Sequence, residues 1–512
     1  MTTDRKDQRI PEWLARIFVC LVLTLTLSSV AFAHAKLARS RPKANETLST
    51  TPRVVELWFS EPLESGLNTI EITDSSGKRV DKNEVTLAEE NKKALVTLGE
   101  LPSGKYTVRW KALSADQHTM RGKFSFTVSE SALATSTSSV TPAPAPTSPA
   151  SGPREEMSSQ SNDTGDNISW TQTSVRWLSY LAMMLLFGGF AFRQLALTPA
   201  LRRTTDRRDQ HNLFVTASRR VISITWVGAI LLLVTSLVAL VLQASDVFDK
   251  SLVAAMSPGL LRQVLSTGFG PSWFLQIGSL IPLIIILLVL SIKKPRQESG
   301  FSVFWWVGLI GSAVLLLAPS WTGHAMLSVK HFRLAVITDW LHLLAAGLWV
   351  GGLFHLALNW QLVSALVPQD RRAIFLHQVI RSFTRVALPS VVLLLLAGSY
   401  NTWAHVPKVS ALWLTPYGQA LALKLLFVLL MLFLGAVNNN YFGKRAALQI
   451  GKNLNANAEI QLERGFVRSV RFEAALGIIV LLVTAVLVFL TPARNHPAME
   501  QGSPGEASVR QH

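Results

Sequence analysis

Ahead of His34 the chain is laid out like a secretory signal peptide. It has a basic start with Arg5, Lys6, Arg9 and Arg16, an apolar run from about Ile17 to Leu27, and the small-residue end Ala31-Phe32-Ala33. Cleavage after Ala33 leaves an α-amine and an imidazole on one residue, two nitrogens able to chelate a single metal ion. Further along, Asp116-Gln117-His118 offers a second imidazole and a carboxylate. Standing two apart, Asp116 and His118 can share one side of a strand or turn. Nitrogen and oxygen donors in a tetragonal set suit Cu(II). The amine must lose its proton from about 8 and the imidazole from about 6.5, so affinity is expected to rise with pH. Glu61, within Phe59-Ser60-Glu61-Pro62, is a weaker candidate, as a supporting or alternate ligand. The single cysteine, Cys20, falls inside the presumed signal segment, which leaves no thiolate site and no disulfide framework. That usage suits an oxidising compartment outside the cytoplasmic membrane.

These ligands need a scaffold, and the residues around them alternate with period two. Val54-Glu56-Trp58-Ser60 interleaves with Val55-Leu57-Phe59. The segments Thr69–Thr73, Ala94–Leu98, Tyr106–Leu113 and Lys123–Val128 repeat the pattern between turn residues. Several short alternating strands in such a stretch predict an immunoglobulin-like (cupredoxin-like) β-sandwich over 34–130. From 131 to 170 the composition turns to Ser, Thr, Ala and Pro, including TPAPAPTSPASGP, and predicts a tether unable to bury apolar surface.

Beyond the tether, 171–492 reads as an all-α membrane bundle, with an exported tail at 493–512. Mean hydropathy is +0.31, and 49% of residues are hydrophobic against 16% charged. About eight apolar stretches are long enough to cross a bilayer, near 172–196, 221–243, 272–292, 302–319, 333–358, 383–404, 418–439 and 472–491. The net charge of +17 sits largely in alternate loops. The first loop carries Arg202, Arg203, Arg207 and Arg208, the third Lys293 and Lys294, the fifth Arg371 and Arg372, the seventh Lys444 and Arg445. The positive-inside rule then puts the odd loops in the cytoplasm, and the β-domain and C-terminus outside the cytoplasmic (inner) membrane. Between His34 and Glu130, 15 Lys and Arg meet 13 Asp and Glu, so the exported part is nearly neutral and no nucleic-acid partner is expected. Ionisable residues within the membrane default to functional hypotheses. Asp339 and His342 share a face of the fifth helix, with His324 and His331 before it and His405 at the end of the sixth. Together they form a possible copper path, and Lys424 lies inside the seventh helix.

The segments HAKLARSRPKANETLSTTPRVVELWFSEPLE and GKYTVRWKALSADQHTMRGKFSFTV resemble the periplasmic copper-binding protein CopC. The resemblance implies Cu(II) held by the terminal His and a D-x-H element, which fall on His34, Asp116 and His118. Some members also carry a methionine-rich Cu(I) loop; this domain has only Met120, so one site is expected. DWLHLLAAGLWVGGL, LALKLLFVLLMLFLGAVNNN and RGFVRSVRFEAALG resemble CopD, and the fusion resembles YcnJ-type copper transport proteins. It implies a non-enzymatic copper-binding membrane protein that passes copper from the β-domain to the bundle, for uptake, homeostasis or resistance. Two alternatives stay open: a membrane-anchored copper buffer or sensor, and a haem or copper redox enzyme.

Overall fold

The alternation read between residues 54 and 128 becomes two packed sheets in the computed structural model. The structure describes residues 37–115, 117, 119–129, 169–204, 207–292, 303–322, 332–406, 408–450 and 456–490. The expected signal segment, most of the tether and the C-terminal tail lie outside them. The strands are β1 (Leu37–Arg41), β2 (Thr47–Leu48), β3 (Val54–Phe59), β4 (Thr69–Thr73), β5 (Asp81–Ala88), β6 (Lys93–Leu98), β7 (Gly104–Leu113) and β8 (Thr119–Val128). One sheet runs β1-β3-β6-β5 and the other β2-β8-β7-β4. The inward residues of the alternating strands, among them Val55, Leu57, Ile70, Ile72, Val96 and Val108, are buried between the sheets, because a period of two sends one face of each strand to the core. Tyr106 donates its hydroxyl to the carbonyl of Pro102 at 2.6 Å, a tyrosine corner of the kind that marks immunoglobulin-like sandwiches. On the β7–β8 ladder Trp110 stands opposite Gly122, and its indole fills the space a Cβ there would need.

The strands not foreseen are β1, β2 and β5. β2 is too short to show a period, while β1 reads LARSR and β5 DKNEVTLA on the two edges of one sheet, where polar residues are tolerated and discourage further pairing.

Among the described residues, eight helices are long and apolar enough to cross a membrane. They are α1 (Trp170–Thr204), α2 (Leu213–Phe248), α3 (Phe269–Ile292), α4 (Val303–Trp321), α5 (Leu334–Leu366), α6 (Arg372–Trp403), α7 (Pro416–Leu448) and α8 (Asn457–Val488). Several run past their apolar stretches. The first half of α8 carries Glu463, Arg464 and Arg468 and continues as helix beyond what hydropathy detects. Glu463 there accepts from Trp360 Nε1 of α5 at 2.9 Å. In α1 the apolar window is 89% buried, against 11% in α7, so α1 is the hub and α7 turns most of its surface to lipid. Gly188 of α1 and Gly351 of α5 meet backbone to backbone, where a Cβ on either would overlap the other helix. Three π-helical turns interrupt the bundle among the described residues, at Phe192–Leu197, Gly347–Gly351 and Asn438–Gly443.

Candidate metal centre

The β7–β8 ladder ends with Leu113 opposite Thr119, which leaves residues 114–118 as its connection. That turn is fixed by local bonds: Ala115 N donates to Pro62 O at 2.9 Å, and Gln117 N to Ser114 O at 2.9 Å. Gln117 takes a positive φ of 76°, a left-handed conformation that folds the chain tightly back on itself. Beneath the turn, Glu61 is 3% exposed, and its Oε2 accepts from Ser114 Oγ at 3.2 Å. The expected supporting carboxylate is therefore tied to Ser114, at the start of the β7–β8 connection. His34, Asp116 and His118 themselves lie outside the described residues, as do His324 and His331. The backbone of His405 closes the helix that contains α6; its side chain is likewise outside. Among the described residues no group of three or more His, Cys, Asp or Glu could hold a metal ion.

The same turn is the place where the sandwich meets the bundle. Gln243 of α2 donates to the carbonyl of Gln117 at 3.1 Å. Thr267, between α2 and α3, donates to Gln117 Oε1 at 3.4 Å, and the neighbouring Gly268 N donates to Glu64 Oε1 at 3.0 Å. Lys111 of β7 and Arg121 of β8 stand directly opposite each other in register, a like-charge pair that opposes the sheet unless counter-charge is supplied. The bundle supplies it. Lys111 Nζ reaches Asp249 at 2.5 Å, and Arg121 reaches Asp249 at 2.8 Å and Asp246 at 3.1 Å. Partial burial pushes the Asp249 carboxyl up, but the hydrogen bonds from Lys111 and Arg121 outweigh it and hold the group below the ordinary aspartate range. Sequence reasoning did not identify this contact. Two cations paired across one hairpin were its only available sign.

Below the turn a cavity of about 240 Å³ opens between sandwich and bundle, lined by Gln117 and Arg121 from above and by Gln172, Arg176, Tyr180 and Gln276 from below. Through Tyr180 that lining comes near Asp339, which does not itself line the cavity. That carboxylate lies near Tyr180 of α1, Ser320 of α4 and Lys424 of α7. His342 faces Gly398 of α6, where an added Cβ would stand 3.8 Å from its ring. Its Nδ1 is buried with no hydrogen-bond partner. The structure thus gathers Asp339, His342 and Lys424 from α5 and α7. His355 has a different role. Fully buried, its Nε2 stands 2.8 Å from Leu185 O and its Nδ1 3.4 Å from Asn359 Nδ2, so both ring nitrogens serve helix packing.

Comparison with known proteins agrees with this division. Residues 37–129 match the CopC domain, 166–329 the Copper resistance protein D-like N-terminal domain, and 377–487 Copper resistance protein D. The Copper transport protein CutJ of Bacillus subtilis is 28% identical over 490 residues, covering 94% of this chain and 78% of CutJ. Copper resistance protein C of Xanthomonas campestris pv. juglandis is 31% identical over 22% of this chain and 91% of its own length. The Inner membrane protein YebZ of Escherichia coli is 24% identical over 64% of this chain and 99% of YebZ. The chain is a multi-pass membrane protein and belongs to the copper resistance and transport family that joins a CopC domain to CopD domains.

Proposed function

We propose that the chain captures Cu(II) outside the cytoplasmic membrane and passes copper into its own bundle, for uptake and copper homeostasis. Signal cleavage after Ala33 assembles the site: the amine and imidazole of His34, the His118 imidazole and the Asp116 carboxylate, with Glu61 beneath. Copper then moves towards Asp339 and His342, with His324, His331 and His405 at the same side of the membrane. No bond of a substrate is made or broken in this reading. The observation that carries it is the docking of the Gln117 turn on α2 and on the α2–α3 connection, above a cavity lined in part by Gln117, Arg121, Arg176 and Tyr180, the last of which lies near Asp339. A ligand released at that turn enters a lined chamber rather than bulk solvent.

Two linked measurements test it. Deleting the gene is expected to lower cell copper at limiting supply, with recovery from the wild-type chain. A chain with one extra residue before His34 should recover little, because it loses the terminal chelate. Unchanged copper content on deletion ends the uptake reading. Unchanged Cu(II) affinity of the extended chain ends the terminal-chelate reading.

The Lys424 side chain near Asp339 and His342 favours a second reading, since an amine that takes up a proton there opposes passage of a cation. In that case the chain is a membrane-anchored copper buffer or sensor, and the sandwich anchored by any single helix restores copper handling.

A further inference from the structure

A second cavity, of about 290 Å³, lies among α5, α6, α7 and α8, towards the end of the bundle away from the sandwich. Most of its wall is apolar, but two buried polar side chains enter it: Glu473 of α8, 2% exposed, and Asn438 of α7, 7% exposed. Asn438 opens the π-helical turn Asn438–Gly443, and Trp349 lies in the π-helical turn of α5. Such turns re-aim side chains and recur at functional sites.

The polar atoms are only partly satisfied. Asn438 Nδ2 donates to Glu473 Oε2 at 2.9 Å, and Trp349 also bonds the carboxylate. The other oxygen, Oε1, stands 3.6 Å from the position that a Cβ on Gly435 would take, a close approach that glycine permits. Asn438 Oδ1 is buried with no hydrogen-bond partner among the described residues. Among the described residues that line the cavity, Glu473 is the one titratable group, and no Lys, Arg or His faces it. His377 of α6 turns instead to the carbonyl of Gly443, at 3.2 Å. A carboxylate in a membrane interior without a cationic side chain is costly, and such residues face partners, cavities or ion paths. Oxygen donors suit small hard cations, whereas Cu(I) prefers sulfur.

We propose that the Glu473–Asn438 cavity binds a small hard cation, hydrogen ion or sodium, on Glu473 Oε1 with Asn438 Oδ1 as its second oxygen. Its occupancy does not depend on copper passing through the bundle, so it stands or falls apart from the transport reading. What it adds is a counter-ion seat inside the helices that also carry Asp339 and Lys424.

Infrared difference spectra of the full chain in lipid nanodiscs test it, in one arm titrating acid and in the other replacing choline by sodium. Hydrogen ion predicts a carboxylic-acid carbonyl band that grows with acid and ignores sodium. Sodium predicts a shifted carboxylate band in the second arm. In either case Glu473→Gln, which keeps the shape and an acceptor for Asn438, must lose the band. Asn438→Leu, which removes the donor to Oε2, must shift it. Spectra of wild type and Glu473→Gln that coincide in both arms overturn the proposal and leave Glu473 a helix-packing residue. If Glu473→Gln does not elute as a folded protein, Glu473→Asp takes its place, and an unmoved band overturns the proposal equally.

Discussion

Glu61 gives access to the proposed copper site without altering His34, Asp116 or His118. It is buried and bonded to Ser114 Oγ at the start of the β7–β8 connection. Carboxylates placed behind ligands orient them, and their loss typically costs about 10–100-fold in metal affinity. Glu61→Gln keeps an acceptor for Ser114 but removes the charge. The expected outcome is Cu(II) affinity roughly 10-fold weaker with an unchanged ligand spectrum by electron paramagnetic resonance. A changed nitrogen hyperfine pattern would instead make Glu61 part of the ligand set. At this scale the sequence showed which residue types were present. It did not reveal the unpartnered Nδ1 of His342 or Oδ1 of Asn438, because satisfaction depends on what other helices bring alongside.

Among the elements, α1 and α5 set the geometry of the bundle through the contact of Gly188 with Gly351. Without a hydrophobic drive between helices in lipid, such close backbone approach supplies packing that larger residues prevent. Gly188→Ala should therefore destabilise the detergent-solubilised protein by about 1–3 kcal/mol, read as a lower Tm, since the clash is with backbone that cannot rotate away. Gly278→Ala on α3 is the control. A Cβ there meets nothing within 4 Å, and helix propensity favours alanine by about 1 kcal/mol, so its Tm should hold or rise. Equal losses in the two variants would show that the α1–α5 contact is not special. Hydropathy located all eight spans because lipid demands apolar length, but placed α6 and α8 too short because charged turns beyond the apolar stretch remain helical.

For the whole molecule, the relation between sandwich and bundle rests on Lys111 and Arg121 meeting Asp246 and Asp249, with the Gln117 turn locked beside them. Exposed ion pairs contribute about 0.2–1 kcal/mol each, so this contact is weak alone and depends on the tether to keep the partners together. Arg121→Glu should open it, seen as faster amide hydrogen exchange at Gly268, whereas Arg121→Lys, which keeps the charge, should leave most of the protection. Equal loss in the two variants would mean that the ion pairs do not hold the docked state. Because Asp249 is held below its ordinary range, its contribution is complete above about pH 4 and is lost as pH falls through the lower, docked-state value. Protection should therefore stay level from neutral to mildly acidic pH and decline with added salt, which screens exposed charges beyond about 8 Å at physiological strength.

The sequence by itself determined the class of each half and the chemistry available to it. Period-two alternation, apolar length and the Asp-x-His segment are local signals, since each follows from how a strand, a bilayer or a metal selects neighbouring residues. Only the tertiary structure decided that Gln117, in the β7–β8 connection, docks on α2 and the α2–α3 connection. The same is true of the groupings of Asp339 with Lys424 and of Glu473 with Asn438. Those pairings join residues far apart in the chain, and packing among helices, which leaves no period in any one of them, brings them together.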